Sequence, residues 1–128
     1  MILLPLCAPP RAEGLELAVV SGSGATRRGD AAVGDVLHAR APVGLPHMEL
    51  RIYVGTARIA RCPGNPECRR DAATMEIAWK LADAGTYEIV VLSSSTPIPA
   101  GDGTRDRDLL DAQVAGVHIE TRSLQVTL

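Results

Sequence analysis

Residues Leu81 to Leu92 read L-A-D-A-G-T-Y-E-I-V-V-L, a polar turn that ends at Gly85 and runs directly into an alternating apolar strand. Because successive side chains of a strand point to opposite faces, one face carries Tyr87, Ile89 and Val91. The opposite face carries Val90 and Leu92, which are also apolar. We therefore predict that the first face lies in the core and that another element covers the second.

Six other segments show the alternation or the turn signals of a strand. In chain order they are Gly14–Val20, Val36–Ala41, Met48–Val54, Ala57–Arg61, Thr74–Leu81 and His118–Leu128.

The stretch from Thr104 to Gly116 instead predicts a helix of about ten residues, because acids lie in its first turn and a glycine follows its last turn. Its apolar positions Leu110, Val114 and Val117 follow at i, i+4 and i+7. This helix is the predicted cover of Val90 and Leu92.

The run after the turn at Gly85 resembles the tyrosine corner of immunoglobulin-like sandwiches, in which a Tyr ties its hydroxyl to the upstream backbone. The chain as a whole resembles an immunoglobulin-like or fibronectin type III-like domain, and G-T-Y-E-I-V-V resembles the PKD-like modules of bacterial extracytoplasmic proteins. The resemblance implies an all-β fold over residues 14–128: a seven-stranded immunoglobulin-like antiparallel β-sandwich with one short helix inserted before the last strand. Ile89 stands where antibody domains place a Cys, so their inter-sheet disulfide is not expected. The predicted core consists of Leu37, Ala39, Leu50, Ile52, Ile77, Trp79, Tyr87, Ile89, Val91, Leu124 and Val126.

Composition limits the classes of function. The 13 basic and 15 acidic residues give a net charge of -2, which supplies none of the general attraction for phosphate that nucleic-acid-binding proteins use. No run of 18 apolar residues is present, so we expect no membrane span in this chain. Residues 1–13 are predicted to be an N-terminal tail or the remnant of a signal or anchor segment, with an apolar first strand as the alternative. All basic residues except Lys80 are Arg, a bias typical of GC-rich bacterial genomes.

The segment C-P-G-N-P-E-C joins Cys62 to Cys68 through a loop that Pro63 and Pro66 stiffen. A stiff, short loop favours a disulfide bond between its ends in an oxidising compartment. A zinc site is a second interpretation, although a second ligand pair is missing, and a redox-active pair is a third, although the spacing is not C-x-x-C. The disulfide predicts an extracytoplasmic protein, with a cytoplasmic one as the alternative. Cys7 is then left over.

The sequence contains no recognisable catalytic pattern, and we predict neither an enzyme nor a cofactor. His38, His47 and His118 fall on different predicted strands or loops, without the spacing of metal ligands. Asp102, Asp106 and Asp108 could bind Ca²⁺, but acids at the start of a helix are expected from the helix dipole alone. Arg28, Gly29 and Asp30 form an adhesion-type tripeptide in a region rich in all three residues, and a solvated turn is the simpler interpretation.

Arginines gather on the predicted hairpin and the loop after it, and we predict a binding surface formed by Arg58, Arg61, Arg69 and Arg70. Guanidinium groups bind carboxylates in a bidentate manner, so this surface would take a protein partner or an acidic ligand. The alternative interpretation is that these arginines are exposed charges on a hairpin that only keep the protein soluble. The sequence thus predicts a non-enzymatic interaction or sensory domain of an exported or membrane-tethered bacterial protein. A structural spacer module, or a small-ligand or calcium-binding accessory domain of an enzyme, are the alternatives.

Overall fold

The computed structural model describes residues 14–26 and 30–128 and contains two β-sheets and one helix. The strands are β1 (Glu16–Val20), β2 (Ala31–Ala32), β3 (Val36–Pro42), β4 (His47–Val54), β5 (Ala57–Cys62), β6 (Cys68–Arg70), β7 (Thr74–Lys80), β8 (Gly85–Ser94) and β9 (His118–Thr127), and the helix α1 (Arg105–Val114) lies before the last strand. Residues 1–13, including Cys7, and Arg28 and Gly29 of the adhesion-type tripeptide lie outside the described part of the chain. The all-β prediction with one helix is confirmed.

Each sheet collects strands from both halves of the chain. The four-stranded sheet has the order β1-β3-β7-β6, and the five-stranded sheet has the order β2-β9-β8-β4-β5. All pairs are antiparallel except β2 with β9, which is parallel. The described residues therefore hold nine strands where seven were predicted. The two extra strands, β2 and β6, have two and three residues, too few for an alternation to be seen in the sequence.

The core lies between the two sheets and is aliphatic, as predicted. One cluster of buried residues takes side chains from both sheets, with Leu37 and Ile77 from one and Leu50, Ile52 and Ile89 from the other. Of the predicted core residues, Trp79 and Leu124 are only half-buried at its margin, and the others are buried.

The turn before β8 has the predicted tie. The hydroxyl of Tyr87 donates a 2.9 Å hydrogen bond to the carbonyl oxygen of Asp83, and it accepts one from the amide of the same residue at 3.3 Å. The Tyr87 side chain is buried, so this hydroxyl pins the polar turn to the start of β8. A buried hydroxyl needs such a partner, because an unsatisfied one costs about 1–3 kcal/mol.

Helix α1 covers the outer face of the five-stranded sheet, as predicted, but not with its predicted face. Val90 and Leu92 are buried in a second cluster with Ala112 of the helix and Val117 after it. Leu110 and Val114 instead point outwards, with 51% and 81% of their surface exposed. Asp108 and Ala112 are the buried helix residues, since the face under the helix carries charged groups that Asp108 pairs with. No helix in the described ranges is long and apolar enough to cross a membrane.

Candidate binding site

A disulfide bond joins Cys62, the last residue of β5, to Cys68, the first of β6. β5 is an edge of the five-stranded sheet and β6 is an edge of the four-stranded sheet, so the bond ties the two sheets together along one side. Cys62 is fully buried in the core cluster, and Cys68 is half-buried against it. The disulfide was the first of the three interpretations of this segment, and the structure contains it.

Asn65 fixes the backbone of the loop that the disulfide closes. Its side-chain oxygen accepts a 2.8 Å hydrogen bond from the amide of Arg61, and its own amide donates to the carbonyl of Arg61. Its carbonyl accepts from the amide of Cys68. The tip residues Pro63, Gly64, Pro66 and Glu67 remain exposed. The loop is therefore a fixed, solvent-facing projection.

Arg69 and Arg70 lie directly after this loop on β6, and both are exposed. Arg69 is in register with Glu76, on the outer face of the four-stranded sheet. Arg70 is in register with the buried Met75, but β6 is the edge strand, so the Arg70 side chain is exposed at the edge of the sheet. Both line a surface depression of about 190 Å³. Neither guanidinium has a hydrogen-bond or ion-pair partner among residues 14–26 and 30–128.

Arg58 and Arg61 lie on β5 and are engaged within the chain. Nη1 of Arg58 is 3.0 Å from Oδ2 of Asp108 and donates a 2.8 Å hydrogen bond to the carbonyl of Ala100. Nε of Arg61 is 2.9 Å from Oε2 of Glu49. Both guanidinium groups belong to the outer face of the five-stranded sheet, so the four predicted arginines do not share one surface. The disulfide lies between the two pairs.

The outer face of the five-stranded sheet holds a buried ionic cluster that no pattern in the sequence predicted. Arg51 is completely buried, and its Nε is 2.7 Å from Oε2 of Glu49. Its Nη2 donates a 2.7 Å hydrogen bond to the carbonyl of Pro99, and its Nη1 lies 3.7 Å from Oδ2 of Asp108. The hydroxyl of Tyr53 donates to the same Oδ2. Helix α1 and the chain before it thus close over paired charges as well as over apolar groups.

Burial and pairing shift two pKa values in this cluster. Burial raises the pKa of Tyr53 to about 12, and the hydrogen bond to Asp108 adds to the effect because it is donated by the protonated hydroxyl. Burial alone would lower the pKa of Arg51, but the hydrogen bond and the charge of Glu49 outweigh it, so this pKa is raised. Arg51 therefore stays charged and Tyr53 stays neutral at physiological pH.

The three aspartates that could bind Ca²⁺, Asp102, Asp106 and Asp108, do not converge. The Asp102 carboxylate accepts a hydrogen bond from the amide of Thr104, Asp106 pairs with Arg105, and Asp108 faces the sheet. In the part of the chain that the structure describes, no three His, Cys, Asp or Glu side chains are grouped closely enough to hold a metal ion.

Comparison of this chain with protein-family models, with curated proteins and with solved structures found no match.

Proposed function

We propose that this chain is a non-enzymatic interaction domain, of the immunoglobulin-like sandwich type, in an exported or membrane-tethered bacterial protein. It binds a protein partner or an acidic ligand at the disulfide-closed loop from Cys62 to Cys68 and at the arginines that follow it. Arg70 is the central contact in this proposal, because it is exposed, unpaired in the described residues and next to the loop.

The strand order supports the fold assignment. Constant-type immunoglobulin domains pair strands A-B-E-D in one sheet and C-F-G in the other. The order β1-β3-β7-β6 corresponds to the first sheet, and β4-β8-β9 corresponds to the second, with β5 added at the edge beside β4. The hydrogen bond from Tyr87 to Asp83 corresponds to the tyrosine corner at the start of strand F.

The rigidity of the loop is the observation that carries the proposed site. A flexible loop loses conformational entropy when it binds, whereas a loop already held in one conformation loses less. The disulfide and the three backbone contacts of Asn65 hold this loop, yet its tip residues make no contribution to the core. A carboxylate arriving beside it would meet guanidinium groups that have no competing partner in the described chain.

The disulfide also supports the proposed location. Disulfide bonds persist in secreted and periplasmic proteins and are rare in the reducing cytosol. This bond joins the two sheets, and its Cys62 is fully buried, as expected of a structural disulfide.

The test is capture of the partner with matched baits. Wild-type protein and the variants Arg70→Glu and Arg107→Glu are immobilised, exposed to the envelope and secreted proteins of the native bacterium, and the retained proteins are identified. Arg107 lies on α1 with 64% of its side chain exposed. Both substitutions exchange an exposed Arg for Glu, so they change the net charge by the same amount. We expect Arg107→Glu to retain the same partner as wild type and Arg70→Glu to lose most of it. Equal recovery on all three baits would contradict the proposed site.

A binding assay with the identified partner separates contact from loop order. A variant with both Cys62 and Cys68 replaced by Ala keeps every arginine but frees the loop. We expect it to bind several-fold more weakly than wild type, because ordering the loop then opposes association. Unchanged affinity of this variant would show that the closed loop is not the binding element.

A further inference from the structure

Four charged side chains of alternating sign form one row across the outer face of the four-stranded sheet. Glu16 on β1 is in register with Arg40 on β3, Arg40 is in register with Glu76 on β7, and Glu76 is in register with Arg69 on β6. We call these four residues the charge row. The order of charges across the sheet is negative, positive, negative, positive.

The charge row is only partly neutralised within the chain. Nη2 of Arg40 lies 3.4 Å from Oε1 of Glu16, and both side chains remain about half exposed. No other ion pair joins members of the row in the described residues. Glu76 and Arg69 therefore keep charges that are free to pair outside the chain.

The face around the charge row is open and flat enough to be approached. The next row along the strands consists of Ala18, His38 and Ala78, and the two alanines project little from the sheet. Within residues 14–26 and 30–128, no helix or strand packs on this face, whereas α1 covers the outer face of the other sheet. A hollow of about 590 Å³ opens at the β1 side of this face, and Glu16, Arg40 and Glu76 line it together with Arg122, which reaches it from β9.

We propose that this face is a self-association surface and that its occupant is a second copy of the same chain. A two-fold axis that runs parallel to the strands, between β3 and β7, reverses the charge row of the second copy. Arg40 then lies opposite the partner's Glu76, and Glu16 lies opposite the partner's Arg69. Every member of the row meets its opposite charge, as a self-complementary two-fold interface requires.

The same charges select this arrangement against the alternative. A two-fold axis along the row would place each residue opposite its own copy, so four like-charge contacts would form. Like charges held together across an interface are unfavourable, and such contacts exclude wrong arrangements. The charge row thus attracts the second copy and also determines its orientation.

The size of the face predicts a weak dimer. Four strands spaced by about 4.8 Å, the longest of seven residues at about 3.3 Å per residue, give a face of about 14 by 23 Å, or about 320 Å². Such a face is smaller than the roughly 800 Å² per partner that stable complexes bury. We therefore expect association at high protein concentration, stronger at low salt because exposed charges are screened as ionic strength rises.

The test is sedimentation velocity of the full chain at low salt, over concentrations from about 10 µM to 1 mM, the range in which weak complexes of small interface area form. We expect wild type to move from monomer to dimer. Arg40→Glu and Glu76→Arg should each weaken the dimer at least tenfold, because each substitution creates two like-charge contacts. An equimolar mixture of the two variants should dimerise as wild type does, because both contacts between the different chains are again of opposite charge. Arg107→Glu, on the helix away from this face, should behave as wild type.

Three results would overturn the proposal. Wild type that stays monomeric at every concentration leaves the face to another occupant, either residues 1–13 or a different protein. A dimer that both single variants form unchanged uses another surface. A mixture that dimerises no better than its components excludes the two-fold arrangement. Arg69 belongs to both proposals, but the self-association test substitutes neither Arg69 nor Arg70, so its failure leaves the proposed binding site of the loop to its own test.

Discussion

The hydroxyl of Tyr53 donates a 2.6 Å hydrogen bond to Oδ2 of Asp108, so a buried residue of β4 holds a buried residue of α1. The other carboxylate oxygen, Oδ1, accepts hydrogen bonds from the amides of Asp102 and Gly103. One carboxylate therefore connects the sheet, the helix and the chain that leads into the helix. Its Oδ2 also lies 3.7 Å from Nη1 of Arg51 and 3.0 Å from Nη1 of Arg58.

Removing the charge of Asp108 should destabilise the fold strongly. Asp108→Asn keeps the size of the side chain but leaves the buried Arg51 without one of its two carboxylates. Breaking a buried ion pair by removing one partner costs about 3–5 kcal/mol, because the other charge remains buried. Urea unfolding measures the loss. Asp106→Asn, in the same helical turn but 82% exposed, should stay within about 0.5 kcal/mol of wild type. Equal effects of the two substitutions would show that the cluster does not stabilise the fold.

The backbone at Gly101 lies directly against this carboxylate. A Cβ built at this position would lie 1.9 Å from Oδ1 of Asp108, and φ is +73°, which disfavours any side chain. Gly101→Ala should therefore displace the loop before α1 and cost more than about 1 kcal/mol of unfolding free energy. Gly44→Ala is the matched control, because a Cβ there meets nothing within 4 Å. We expect Gly44→Ala to be neutral or slightly stabilising, and a similar loss in both variants would contradict the close contact at Gly101.

The raised pKa of Tyr53 makes stability depend on alkaline pH. The pKa rises from 10.0 to about 12 on folding, so the folded state prefers the neutral hydroxyl. The resulting stabilisation is complete below about pH 10 and is lost as the pH rises from 10 to 12, because only the unfolded chain then releases the proton easily. At pH 11 the loss amounts to about 1.4 kcal/mol. Tyr53→Phe has no hydroxyl to titrate, so its stability should fall less between pH 9 and pH 11 in urea unfolding. Parallel losses in both proteins would assign the effect to other groups.

Alternation along single strands was enough to predict the two faces of the main strands. Leu37, Ala39 and Ile77 are buried where their period places them, and Val90 and Leu92 are covered by a helix as their apolar character required. These features depend on residues close together in sequence. The extra strands β2 and β6 were missed because a pair or a triplet of residues shows no period.

The burial of Arg51 was missed because charged residues are almost never fully buried unless they are paired. Arg51 has two carboxylate partners. Glu49 lies two residues away on the same strand, but Asp108 lies 57 positions further along the chain, and no local pattern connects it to Arg51. A signal was nevertheless present. Arg51 is in register with Val90, which lies on the face for which a cover was predicted. An element that covers Val90 therefore also covers Arg51. The arginines at 61 and 69 were grouped because they are close in sequence, whereas they lie in different sheets.

The disulfide gives the last prediction, which also bears on location. Of the three cysteines, only Cys7 should react with a thiol reagent in the folded, non-reduced protein, since Cys62 and Cys68 are bonded. The bond closes a loop with a sequence separation of 6, and the loss of chain entropy in the unfolded state predicts a stabilisation of about 2 kcal/mol. Wild type treated with a reductant should therefore unfold at lower urea concentration than untreated wild type. The variant with both Cys62 and Cys68 replaced by Ala should match the reduced protein, apart from the smaller volume of its buried side chain. Three reactive thiols in the untreated protein would show that the bond is absent, and the physical argument for an oxidising compartment would then fail.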